Sequence, residues 1–114
     1  MCEWNVQLMM EKIQLLEFHQ GLLLKLIQNP NLKFYRIIVE NGISKQEMEM
    51  FFKLCEKLSQ KLEEQKAEGF VYFYPLLVEF RASLPAGMDM TEVIQACLIQ
   101  KLYEPLFHEL TKYI

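Results

Sequence analysis

The sequence predicts an all-α fold: a six-helix bundle of two long and four short helices, with one short extended aromatic connector. Three observations carry this. Apolar residues recur at alternating three-and-four spacing along two long stretches, the period of a helix face rather than of a strand. Gly and Pro number only four each, too few for the turns of a many-stranded sheet. Each break between the apolar stretches also carries the chemistry of a helix end or start, in "QNPN", "ENGISKQE", "AEGF", "PAGMDMTEV" and "YEP". With 114 residues and 52% apolar content, the chain fits a single helical domain, 1–114, around one core.

Residues 3–28 read as one helix. Val6, Met9, Ile13, Leu16, Leu23 and Ile27 follow a heptad seam, broken by a single polar residue, Gln20. A second row, Leu8, Leu15, Leu22 and Leu26, widens the stripe beyond what one neighbouring helix would cover. A helix of this length spans roughly 39 Å, more than a compact domain of this size easily covers. The seam is therefore the expected contact of a homo-oligomer, and Gln20 the residue expected to set its geometry. Asn29-Pro30 ends the helix, because Pro disfavours helical geometry in the residue before it.

A short helix follows over about 31–40, with Leu32, Tyr35, Ile38 and Val39 inward. "ENGISKQE" is then an elbow. Gly42 suits the left-handed residue that closes a helix. Ser44 is the next N-cap with Glu47 as its capping-box partner, and Ile43 and Met48 occupy the staple positions. The helix launched there runs to about Glu68, with Met48, Phe51, Cys55, Leu58 and Leu62 inward and Lys45, Glu49, Lys53, Lys57 and Lys61 on a solvated face. Gly69 stops it.

After the glycine, "FVYFYPLLVEF" presents a choice between strand and helix. Pro75 would interrupt a ladder but fits the first turn of a helix, and Leu76, Leu77, Phe80 and Leu84 then follow helical spacing. Only residues 70–73 remain extended, and no second strand pattern exists to pair with them. They are expected to be a connector with Phe70 and Phe73 buried and Gly69 at positive φ. In "PAGMDMTEV", Asp89 is the expected N-cap, Glu92 its N3 partner, and Met88 and Val93 the staple. The helix from Met90 to about Leu102 buries Val93, Ile94, Cys97 and Leu98; Pro105 opens the last one through Leu106, Phe107, Leu110 and Tyr113.

Catalytic chemistry is scarce. The chain has one Asp, three Ser and two His, with no glycine-rich phosphate loop and no zinc-protease pattern. "EFHQ" and "FHEL" set an acid near His19 and His108, but neighbouring residues point to different faces of a helix. No catalytic residue, cofactor site or metal site is expected, and the protein is read as non-enzymatic. Cys2, Cys55 and Cys97 are odd in number and widely spaced, and the latter two fall on apolar stripes. With no basic leader region and no apolar run of about 18 residues, the expected compartment is the cytoplasm and no membrane is involved.

The net charge is −3, and residues 70–114 hold five acids and three bases while 1–41 hold four of each. No basic face stands ready for a phosphate backbone, so nucleic acid is not an expected partner. The expected function is protein–protein interaction, with a second copy of the chain as first partner and another protein as a further possibility. Two alternatives stand. "IIVENGISKQEMEMFF" has the outline of a helix-turn-helix regulator, although Glu47 and Glu49 would face phosphates. A Met- and Phe-lined cavity for a small apolar ligand is the other.

From about Ile43 onward the chain resembles the YhaI-like family, small all-helical proteins of Gram-positive bacteria with no known function. "GISKQEMEMFFKLCEKLSQKLEEQKAEGFVYFYPLLVEF" and "QKLYEPLFHEL" carry the resemblance, and the joint "EQKAEGFVYF" is its most specific part. It implies an all-α fold and brings no activity, cofactor or catalytic residue. Tyr74 before Pro75 departs from what a helix start favours, an acid or hydroxyl in the capping position.

Overall fold

Helix ends in this chain are set by local capping chemistry, which fixes where each element can pack. The computed structural model describes residues 3–114, with side chains from Asn5 onward; Cys2 lies outside it. Six α-helices follow in order: α1 (Glu3–Gln28), α2 (Lys33–Glu40), α3 (Lys45–Ala67), α4 (Tyr74–Ala82), α5 (Met90–Ile99) and α6 (Glu104–Leu110), closed by a 3-10 turn at Thr111–Tyr113. There is no strand among the described residues. The two-long, four-short bundle is therefore as expected.

The elbow between α2 and α3 forms as its sequence dictates. Gly42 sits at φ +64, and the amides of Gly42 and Ile43 return to the carbonyls of Val39 (3.2 Å) and Ile38 (3.0 Å). That pair of bonds is a Schellman closure. Across the turn, the Glu47 amide donates to Ser44 Oγ at 3.1 Å while the Ser44 amide donates to Glu47 Oε1 at 3.0 Å, a complete capping box. Gly69 ends α3 in the same way, at φ +93, with Gly69 and Phe70 amides donating to Lys66 and Gln65 carbonyls.

Three ends differ from the sequence reading. Asp89 caps α5 through the Thr91 amide at 3.3 Å, one residue earlier than N3, so Glu92 is not drawn into a reciprocal box. The end of α5 comes at Ile99 rather than Leu102, because Lys101 takes the left-handed conformation (φ +63) in the closing turn. The Leu102 amide then reaches the Cys97 carbonyl at 2.8 Å. Tyr103 is left-handed too, at φ +48, which turns the chain sharply into α6. The capping position of α4 is held by Phe73, whose ring offers no acceptor to the helix amides; its own amide donates to the Tyr113 hydroxyl at 2.9 Å.

The core is one cluster threaded by stacked and edge-on rings. Phe34 of α2 stacks on Phe51 of α3 at 4.8 Å, Phe51 meets Phe80 of α4 at 5.9 Å, and Phe80 meets Phe107 of α6 at 5.4 Å. Phe34, Phe80 and Phe107 are fully buried, so each stabilises by its area and by ring geometry. α2 also packs on α5, and α3 on α4 and α6. Residues 29–114 thus form a body that supplies every buried apolar side chain of the core except Leu22. α1 joins that body chiefly through α2, and the molecule measures 60 × 33 × 20 Å.

Residues 70–73 are extended and unpaired, as expected, but only Phe73 is buried. Phe70 is 51% exposed and Val71 87%, because a short connector crossing the surface can turn only some of its side chains inward. Tyr72, Tyr74 and Tyr113 form a ring cluster beside it, with centroids 5.6–6.2 Å apart.

Candidate interaction surface

Two apolar rows run along α1: the second docks from Leu15 onward while its first member, Leu8, stays exposed, and the heptad seam does not dock at all. The docked row is Leu15, Phe18, His19, Leu22 and Leu26, of which Leu22 and His19 are buried. Three contacts hold this row. His19 Nε2 donates to the Ile43 carbonyl at 2.7 Å, tying α1 to the elbow. The His19 ring lies 5.6 Å from that of Phe18. Lys25 Nζ sits 5.6 Å above the Tyr35 ring of α2.

The heptad seam points the other way. Val6, Met9, Ile13, Leu16, Gln20, Leu23 and Ile27 are all exposed, Leu16 at 66% and Ile27 at 79%. Met10 and Leu24 extend the same face. By helical geometry the seam and the docked row are centred roughly 135° apart. No segment of the chain's own described residues covers the seam. Contiguous exposed apolar faces on this scale mark interaction sites.

Polar neighbours flank this face without filling it. Lys12 and Glu17 stand exposed on its two edges, and neither is in an ion pair among the described residues. On the other side of α1, its N-terminal half and the start of α3 enclose an open groove of about 820 Å³. Leu8, Leu15 and Phe18 line it together with Glu11, Lys45 and Glu47. Its walls are mixed and open rather than an enclosed apolar chamber.

The remaining candidate groups are committed to structure. Among the described residues no cluster of three His, Cys, Asp or Glu could hold a metal ion. Cys55 and Cys97 are fully buried; burial, with Glu56 beside it, pushes the Cys55 thiol up to about 12, and burial raises Cys97 too. Thiols held protonated in this way are inert. Tyr103 is pushed up to about 12 by burial and by Glu56, toward which its hydroxyl points at 3.4 Å. The Lys61 hydrogen bond at 2.8 Å holds the Glu79 carboxyl below its usual range, clamping α4 to α3. His108 is exposed, 3.9 Å from Glu104. No helix among the described residues is long and apolar enough to cross a membrane.

One structural residue escaped the sequence reading. Gln100, just past α5, accepts from the amides of Phe34 (3.0 Å) and Tyr35 (3.3 Å), and so caps the start of α2, where Leu32 offers nothing. Nothing local in "NPNLKFY" points to a partner that far along the chain.

A family model described as a protein of unknown function (DUF1878) matches residues 6–114, from the first seam residue to the last residue of the chain.

Proposed function

We propose that this chain, which belongs to the DUF1878 family of proteins of unknown function, is a non-enzymatic interaction module that self-associates through the outer face of α1. One observation carries the reading: the heptad seam is apolar at every position but Gln20 and exposed throughout, while another face of the same helix is already docked. Sequence that maintains a seam over three heptads and leaves it uncovered within the chain fits a partner helix. A second copy supplies that helix with no further component. The finer placement among the YhaI-like proteins of Gram-positive bacteria rests on the "EQKAEGFVYF" joint. The cytoplasm is the compartment that suits the buried free thiols of Cys55 and Cys97.

A DNA-binding use of α2 and α3 has less support. Glu47 is tied into the cap and Glu49 is exposed beside it, so acids occupy the turn that would approach phosphates. The test of self-association is light scattering of the purified protein at tens of micromolar. The expected mass is a multiple of the single chain, and Leu16→Glu is expected to return it to one chain without lowering the helical signal of the body. A single-chain mass for the unmodified protein ends the reading.

A further inference from the structure

We propose that the second copy binds parallel and in register, making α1 one strand of a two-stranded coiled coil. This rests on the self-association reading above and adds the orientation and number of chains. With Val6 at position a, the a residues are Val6, Ile13, Gln20 and Ile27, and the d residues are Met9, Leu16 and Leu23. Three of four a residues are β-branched and no d residue is, the distribution that favours two parallel strands.

Gln20 separates the two orientations. In a parallel pair each a layer faces its own copy, so Gln20 meets Gln20 of the second copy and the two amides satisfy one another. In an antiparallel pair a faces d, so Gln20 would face Met9, Leu16 or Leu23, none of which can accept or donate a conventional hydrogen bond to it. A desolvated amide left that way is disfavoured. Charge agrees. Lys12 is a g residue and Glu17 the following e residue, the pair that meets between chains in a parallel coil, twice by symmetry. An antiparallel register centred between Leu16 and Gln20 would instead set Glu17 against Glu17 of the second copy.

The fold leaves room for this arrangement. The docked face of α1 lies roughly 135° from the seam, so the two bodies sit on the outside of the pair. The eight exposed apolar side chains of this face, at about half exposure each, present on the order of 800 Å², one partner's share of a standard interface.

The test is Gln20→Cys combined with Cys2→Ser, which leaves only the buried Cys55 and Cys97 as other thiols. Mild oxidation is expected to link most of the protein into disulfide dimers, while the reduced variant gives a two-chain mass by light scattering. A two-chain species that fails to cross-link alone, but does so when mixed with Leu16→Cys or Met9→Cys in the same background, overturns the parallel arrangement and leaves self-association standing. A three-chain mass overturns the two-stranded assignment, and a one-chain mass ends both readings. The charge pair is tested separately: Lys12→Glu is expected to weaken the dimer about tenfold, and adding Glu17→Lys to restore it to within about twofold. Failure of the double variant to recover affinity removes the Lys12–Glu17 pairing, and with it the in-register alignment.

Discussion

In α3 the residues at heptad spacing, Phe51, Cys55, Leu58 and Leu62, are sealed in the core, whereas the residues at the same spacing in α1 stand in solvent. Composition does not explain the contrast, because both rows are apolar. What differs is supply. α3 has α4 and α6 against its inner face, and α1 has chiefly α2 and the elbow, which cover its second row from Leu15 to Leu26. A heptad pattern therefore marks a face that needs a cover without saying where the cover comes from. The body finds its covers within the chain; α1 uses one face for the body and holds the other outward.

The largest test of this division is Phe80→Ala. It removes a fully buried ring touching both Phe51 and Phe107, and should cost about 3–5 kcal/mol in denaturant unfolding. The apparent mass of the folded fraction should not change. A variant that dissociates while still folded would show that body and arm are not separable.

Gln100→Ala probes the contact on which α1 indirectly depends. It leaves the half-buried amides of Phe34 and Tyr35 without their acceptor and should cost about 1–3 kcal/mol. Amide exchange should rise first at the start of α2. If protection there is unchanged, the long-range cap does not operate. The two side-chain caps should then separate from one another. Ser44→Ala breaks a reciprocal box and should cost about 1 kcal/mol, and Asp89→Ala, with its single longer bond, should cost less. Equal denaturant midpoints for the two would show that the reciprocal half of the Ser44–Glu47 box adds nothing to stability.

The smallest effect has the opposite sign. Lys101→Gly relieves a left-handed lysine and should stabilise by about 0.5–1 kcal/mol, visible as a higher thermal midpoint with the association state unchanged. A lower midpoint would mean that the lysine side chain contributes something its backbone conformation conceals.

These cases also show what was legible in the sequence. Helix positions were, because periodicity and caps such as Gly42, Ser44 and Glu47 are local and act through neighbouring atoms. The two rows of α1 were visible too, but not which one docks: both are rich in leucine, and the choice depends on the lie of α2 and the elbow. The end of α5 was misplaced because its left-handed residue is a lysine, with no glycine to mark it. The apolar pattern points both Phe70 and Phe73 inward, yet the span of the connector brings only Phe73 into the core. Gln100 could not be found from spacing at all, since its partners lie 66 and 65 residues away.

That separation has a consequence for the order in which the molecule comes into being. A chain made from its N-terminus presents α1 and α2 long before Gln100 leaves the ribosome, and until then the first amides of α2 lack their acceptor. α1 rests on α2, so a helix made before the body has to wait for its seat. At roughly 5–20 residues per second, the interval is several seconds in which both leucine rows of the nascent arm are bare. In refolding, the body should consequently form in a step independent of protein concentration, and pairing of arms should follow as a second, concentration-dependent one.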